Sequence, residues 1–280
     1  MKRFRRIAII GTGLIGGSIG LAVRKKRLAR EVVGVCRTVK SVRTAKKIGA
    51  VDWGTTHLLR ALPGADLVIL AAPIRQIPNL MRQLAPHLRG GVLVTDVSSA
   101  KGTVVPQIEA RLRQGVFFVG SHPMAGREMR GPAFAIPTLF QGKLCFVIRR
   151  SDTSEAAFRR IRAFWKALGC RRVEPVTVEQ HDRLVASFSH LPHLVAALLV
   201  LNAEKIELAG TGFRDMTRIV SSDPSLWQDI LFANRKEILN SLSRFRKKLD
   251  RMASLLKQKK AGAILRQLQT ARRLRDQLLP

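Results

Sequence analysis

Three stretches of this 280-residue chain gather residue types that do chemistry on a small molecule. The first is Thr95-Asp96-Val97-Ser98-Ser99-Ala100-Lys101. The second is Gly120-Ser121-His122-Pro123-Met124-Ala125-Gly126-Arg127-Glu128. The third runs from Gly210 through Thr217-Arg218 and on to Ser221-Ser222-Asp223-Pro224-Ser225-Leu226-Trp227. His122 stands between an apolar run and a Pro/Gly loop, a poor place for a core filler. An imidazole titrates near neutrality, so it suits taking the proton of an alcohol whose carbon gives up a hydride. Ser99 can hydrogen-bond that histidine or the substrate, or cap a helix starting near Lys101. Arg218, flanked by Thr217 and Ile219, can grip a carboxylate through paired N–H bonds, whereas Arg214 reads as part of a solvated helix face. His190-Leu191-Pro192-His193, with His181, invites a metal reading. No Cys, Asp or Glu beside the His190/His193 pair completes a ligand set, so no metal is expected. A serine hydrolase is disfavoured because no nucleophile elbow is present.

Hydride chemistry needs a carrier, and the chain opens on a turn that fits one. Residues 6–10 read as a short buried strand that runs into Gly11-Thr12-Gly13-Leu14-Ile15-Gly16-Gly17-Ser18 and then an apolar helical stretch. Gly11 permits the turn, Gly13 lets backbone approach a pyrophosphate, and Gly16 lets helix and strand pack closely. Gly11, Thr12, Gly13, Leu14, Ile15 and Gly16 are therefore the expected dinucleotide residues. A secretory signal would share the basic start, but five glycines between residues 11 and 20 interrupt its apolar core. No cleavage site follows, and a signal is rejected.

The elements that must carry these clusters alternate. Strands are expected at residues 32–36, 66–72, 91–95, 116–119, 143–148 and 171–175, with helices at 39–48 and 153–168. This alternation implies βαβ units, hence an α/β fold with a mostly parallel sheet covered on both faces. The first two clusters then fall at strand ends, where such sheets bind ligands, as do Ala72 and Pro73. Beyond residue 178 the strand signal stops. A helix over 181–203 should bend near Pro192, and Ile238, Leu242, Phe245, Leu249, Met252 and Leu256 form a heptad-like seam. The expected organisation is a dinucleotide-binding domain, 1–176, followed by an all-α domain, 177–280, where two subunits can meet.

Composition narrows the class. Residues are 46% hydrophobic and 25% charged, ordinary for a globular protein. The longest unbroken apolar run, 194–201, is far short of a membrane span. Cys36, Cys145 and Cys170 form no paired or metal-ligand spacing and suit a reducing cytoplasm. The net charge of +31 is concentrated in the first 176 residues. A basic surface attracts nucleic acid, but it also draws in an anionic cofactor and substrate. No aromatic-interleaved basic motif, helix-turn-helix or zinc spacing supports nucleic-acid binding as the main role.

Taken in register, the fingerprint and four further motifs resemble one family, the prephenate and arogenate dehydrogenases of tyrosine biosynthesis. Those motifs are 96–101, His122-Pro123-Met124-Ala125-Gly126, Ser189-His190-Leu191-Pro192-His193, and Gly212-Phe213-Arg214-Asp215 with Thr217-Arg218 and Ser222-Asp223-Pro224. The resemblance implies a Rossmann-like domain followed by a helical dimerisation domain, hence a homodimer. It implies oxidative decarboxylation of prephenate with hydride transfer to NAD(P)+. His122 would deprotonate the C4 hydroxyl, Ser99 would orient it, and Arg218 would bind the ring carboxylate. His193 would lie near the substrate side chain, which favours prephenate over arogenate. Gly126 and Arg127 are counted among the substrate residues, Arg127 standing where the family often has Thr. Neither a fused mutase nor a regulatory domain is expected. β-Hydroxyacid and imine reductases share this architecture but would need a catalytic lysine in the helical part.

The cofactor itself is constrained at the end of the second strand. An acid holding the NAD ribose belongs about 20 residues after the fingerprint. The chain has Val35-Cys36-Arg37-Thr38 there instead, with Lys40 close by. An acid that would repel a 2′-phosphate is missing and a guanidinium able to pair with one follows. NADP is expected over NAD, with Arg37 and Thr38 at its adenosine end.

Overall fold

The computed structural model describes residues 2–278. The chain begins β1 (Phe4–Ile10), α1 (Leu14–Lys25), β2 (Ala29–Val35), α2 (Val39–Lys47), β3 (Trp53–Thr55) and β4 (Leu67–Leu70). It continues α3 (Ile77–Leu84), β5 (Leu93–Asp96), α4 (Val105–Glu109), β6 (Phe117–Phe118), β7 (Ser121–Pro123), β8 (Leu144–Ile148), α5 (Glu155–Leu168) and β9 (Arg172–Val176). Among the described residues only helices follow: α6 (Val178–Val185), α7 (Leu191–Asn202), α8 (Thr211–Thr217), α9 (Pro224–Ala233), α10 (Arg235–Lys257) and α11 (Ala261–Asp276).

Six strands form a wholly parallel sheet in the order β3-β2-β1-β4-β5-β6. The chain winds outward from β1 to β3, then crosses back to β4, and ligands bind at such a reversal. Side chains alternate across the sheet. Ile7, Ile9, Leu67 and Ile69 enter one core with α1 and α5, while Ala8, Ile10, Val68 and Leu70 enter a second with α3. Burial on both faces explains why β1 and β4 read as continuous apolar runs. Each fully buried isoleucine or leucine there contributes about 1.5–3 kcal/mol.

One difference from the expected single sheet follows. The strands at 143–148 and 171–175 leave the main sheet and form a second one, β7-β8-β9, with β7 antiparallel to β8 and β8 parallel to β9. The three-residue β7 carries His122, paired across to Phe146, so the histidine lies within a strand rather than after one.

The expected bend near Pro192 takes the form of a π-helical turn at Ala186–His190 between α6 and α7, with Pro192 in the first turn of α7. Together they give a 25-residue helical stretch, Val178–Asn202, long and apolar enough to cross a membrane by length and composition. The unbroken-run count missed it because polar residues interrupt the run. Those residues include His181, Asp182, His190 and His193, all buried in the site below.

Two compact units divide the chain, Met1–Arg235 and Lys236–Pro280. The first holds both sheets and the helices through α9. The second is helical, with Leu249, Leu256, Leu265, Leu268 and Leu274 exposed along α10 and α11. The heptad-like seam therefore exists as a helix whose apolar side chains are partly uncovered.

Candidate active site

The glycine turn is built as its spacing implied. Gly11 takes φ +100°, and a Cβ there would stand 2.6 Å from the Ala71 carbonyl oxygen. The same approach brings the segment after β4, with Ala72 and Pro73, against the fingerprint. A Cβ on Gly16 would fall 2.0 Å from the Gly11 carbonyl oxygen, so α1 could not pack on β1 with any larger residue. A Cβ on Gly13 meets nothing within 4 Å: the free space there lies outside the turn, where a pyrophosphate would approach. Gly13 is the N-cap of α1, and no side chain caps the amides at Leu14, Ile15 and Gly16. Such a bare N-terminus with a matching cradle fits a dinucleotide pyrophosphate.

Two expected cofactor residues have their side chains occupied within the protein. Thr12 is buried with its hydroxyl 2.5 Å from Cys36 Sγ, and its amide donates to the Val35 carbonyl. Thr38 caps α2 by accepting from the Ser41 amide. Arg37 between them is exposed, with no partner among the described residues.

A buried histidine chain forms the other half of the site. His122 Nδ1 lies 2.9 Å from His181 Nε2, and His181 Nδ1 lies 2.7 Å from Asp182 Oδ1. Asp182 also accepts the amides of Lys101, at 2.8 Å, and Gly102, at 2.7 Å. These bonds assign the protons. An ionised Asp182 requires His181 to donate from Nδ1, leaving Nε2 to accept from His122 Nδ1–H. The His122 Nε2 lone pair is then free to act as a base. Burial holds His122 well below the ordinary histidine value, with His181, Lys101 and His190 acting in the same direction. Burial also lowers His181, against the opposing Asp182. Burial alone would raise Asp182, but the His181 hydrogen bond and the two amides hold its carboxyl below the usual range.

Around this chain the remaining groups interlock. Asn234 Nδ2 donates to the Asp182 carbonyl at 2.8 Å and lies 3.1 Å from His190 Nδ1. His190 therefore carries its proton on Nε2, a buried donor without a partner among the described residues. Burial pushes its pKa down to about 4. His193 stacks on Trp227 at 3.5 Å, and its buried Nδ1 also lacks a partner among the described residues. Arg218 pairs with Glu128, and Arg130 pairs with Asp223, so the loop after His122 is pinned to the α8–α9 corner. Arg218 nonetheless remains 64% exposed, and Gly126 and Arg127 are exposed beside Glu128. Ser99 is half-buried, and no helix starts at Lys101. The next helix begins at Val105 without a side-chain cap, so the capping alternative for Ser99 is not realised.

The sequence reading missed the His181–Asp182 arm and the structural use of Lys101. From sequence alone His181 suggests only a third ligand beside His190 and His193. The adjacent His-Asp pair opening an apolar helix was the available signal, since such polarity in a buried element demands partners.

Comparison with known proteins identifies the relatives of this chain. The family described as prephenate dehydrogenase, nucleotide-binding domain, matches residues 19–174, and prephenate dehydrogenase, dimerization domain, matches 177–270. A prephenate dehydrogenase of Bacillus subtilis (strain 168) is 33% identical over 281 residues, covering 97% of this chain and 76% of its own. A cyclohexadienyl dehydrogenase of Zymomonas mobilis is 31% identical, covering 98% and 96%. The crystal structure of prephenate dehydrogenase from A. aeolicus in complex with hydroxyphenyl propionate and NAD+ superposes with a TM-score of 0.93 at 28% identity, covering 99% of both chains.

Proposed function

Since the chain belongs to the prephenate dehydrogenase family, we propose that it converts prephenate to 4-hydroxyphenylpyruvate and CO2 with NADP+ as hydride acceptor. The His122–His181–Asp182 chain is the observation that carries this reading. His122 Nε2 takes the proton of the C4 hydroxyl. The dinucleotide, when bound, supplies the acceptor for the C4 hydride. As the ring carboxylate departs as CO2, its bonding electrons complete an aromatic ring and leave a phenolate, to which His122 returns the proton. No net proton is released, so the base must hold its proton and not pass it on. Asp182, kept ionised by two backbone amides, suits that task by stabilising the imidazolium without accepting the proton.

Other residues serve binding. Ser99 orients the hydroxyl beside His122, and Arg218 receives the ring carboxylate by exchanging it for Glu128, with Gly126 and Arg127 on the adjoining loop. His193, stacked on Trp227 and with its buried Nδ1 still without a partner among the described residues, meets the pyruvyl group, which favours prephenate over arogenate. Gly11, Gly13, Leu14, Ile15 and Gly16 hold the pyrophosphate, and Ala72 and Pro73 adjoin them. Arg37, exposed where an acid would hold an NAD ribose, supports NADP+. Residues 1–176 form the cofactor part and 177–280 the part that binds substrate and pairs two subunits. The uncovered leucines of α10 and α11 support a homodimer, and the free thiols of Cys36, Cys145 and Cys170 suit the cytoplasm.

Turnover of prephenate and arogenate against NAD+ and NADP+, with wild type and His122→Asn, tests the reading. Loss of a general base costs about 10²–10⁴-fold. A His122→Asn protein within a few fold of wild type would overturn the mechanism, and activity with arogenate alone would overturn the substrate.

A further inference from the structure

We propose that Lys101 is a positioning residue that fixes both ends of the His122–His181–Asp182 chain. The inference rests on the role of His122 given above. Lys101 is fully buried, and each of its three ammonium donors has an acceptor: Asp96 Oδ2 at 2.6 Å, the Ser121 carbonyl at 2.5 Å and Ser98 Oγ at 3.2 Å. Asp96 in turn accepts the Ser121 amide at 3.3 Å. Both backbone polar groups of the residue preceding His122 are thus held by one buried ion pair.

The same lysine reaches the far end of the chain through its backbone. Its N–H donates to Asp182 Oδ1, the oxygen that accepts from His181. Gly102 completes the grip, since a Cβ there would stand 2.9 Å from Asp182 Oδ2. Residues 121 and 182 lie on β7 and α6 and are far apart in sequence, so Lys101 is the shared point that sets the span the two imidazoles must bridge. Stability alone is a weak reason for such a pair. Desolvating two charges commonly cancels their attraction, and apolar replacements of the same shape are often neutral or better. Fixing geometry is what the pair does that an apolar pair would not.

The test uses the whole enzyme with prephenate and the preferred dinucleotide. Lys101→Met removes the ammonium and keeps the backbone amide. Asp96→Asn/Lys101→Met also removes the carboxylate left behind and so guards against a buried unpaired charge. A misplacement of about 1 Å costs roughly 10²-fold. Both variants should therefore lose kcat on the order of 10²-fold while KM for each substrate changes no more than about threefold. In Lys101→Met the acid limb of kcat should also move to higher pH, because a cation that opposes His122 protonation is gone. A purely structural ion pair would leave kcat of the folded protein near wild type, wherever the limb falls. Near-wild-type kcat in the double variant overturns the inference, and so does failure of both variants to fold, which would assign the pair to stability. If His122→Asn is also active, the proposed function itself falls. If only the Lys101 variants are active, the positioning role alone falls.

Discussion

Replacing Asp182 by Asn changes one oxygen for one NH2 and leaves shape intact, yet the hydrogen bonds forbid a neutral outcome. Oδ1 accepts from both His181 Nδ1 and the Lys101 amide, and Oδ2 accepts from the Gly102 amide at 2.7 Å. If the amide nitrogen replaces Oδ2, it faces another donor. If it replaces Oδ1, it faces the Lys101 N–H and donates to His181 Nδ1. His181 must then carry its proton on Nε2 and can no longer accept from His122. His122 answers by placing its proton on Nε2, the atom that should be the base. The charge that stabilises the imidazolium is also removed. The loss of base function predicts a fall in kcat of about 10²–10⁴-fold, or roughly 3–5 kcal/mol in barrier. The assay is steady-state appearance of reduced nicotinamide with saturating prephenate, beside a dinucleotide-binding measurement that should be unchanged. A kcat within a few fold of wild type, in protein that binds dinucleotide normally, would refute the proton assignment.

Other expectations follow from the same structure. Gly13→Ala should leave thermal stability unchanged but weaken dinucleotide binding, whereas Gly16→Ala, whose Cβ would strike the Gly11 carbonyl, should lower both. Calorimetry of the free proteins with a binding titration separates the two. Arg37→Asp should shift preference from NADP+ towards NAD+ by about 10–10²-fold, the range of a charge-assisted phosphate contact; an unchanged kcat/KM ratio would remove Arg37 from recognition. Stability should fall as pH drops from the ordinary histidine value near 6.5 towards 4, because His122, His181, His190 and His193 are all lowered by burial. The unfolded chain binds these protons first, and His190 alone accounts for about 3 kcal/mol across that window. Urea midpoints measured against pH should therefore decline, with a shallower slope in His190→Gln.

How far the residues announced this arrangement depends on whether a feature is local. β1, β4 and the fingerprint were legible because burial on both faces forces continuous apolar runs and the turn needs its glycines. β3 and β7 were not, being three residues each with no periodicity to show. The separation of 143–148 and 171–175 into a second sheet was hidden for the same reason, since the strand that starts it, β7, is short and polar. His122, Ser99, Arg218 and His193 could be singled out from their motifs. The links between them could not: His122 meets His181 across 59 residues, and Arg218 meets Glu128 across 90. Lys101 read only as a residue near a helix start, because no sequence pattern distinguishes a buried lysine until its acceptors are assembled around it.

The most direct test of the account is to follow wild type and His122→Asn with prephenate and NADP+, recording CO2 release and dinucleotide reduction together. Wild type should yield the two products in equal amounts, and His122→Asn should lose both in parallel while still binding the dinucleotide. CO2 release without reduction in wild type, or undiminished coupled turnover in His122→Asn, would contradict it.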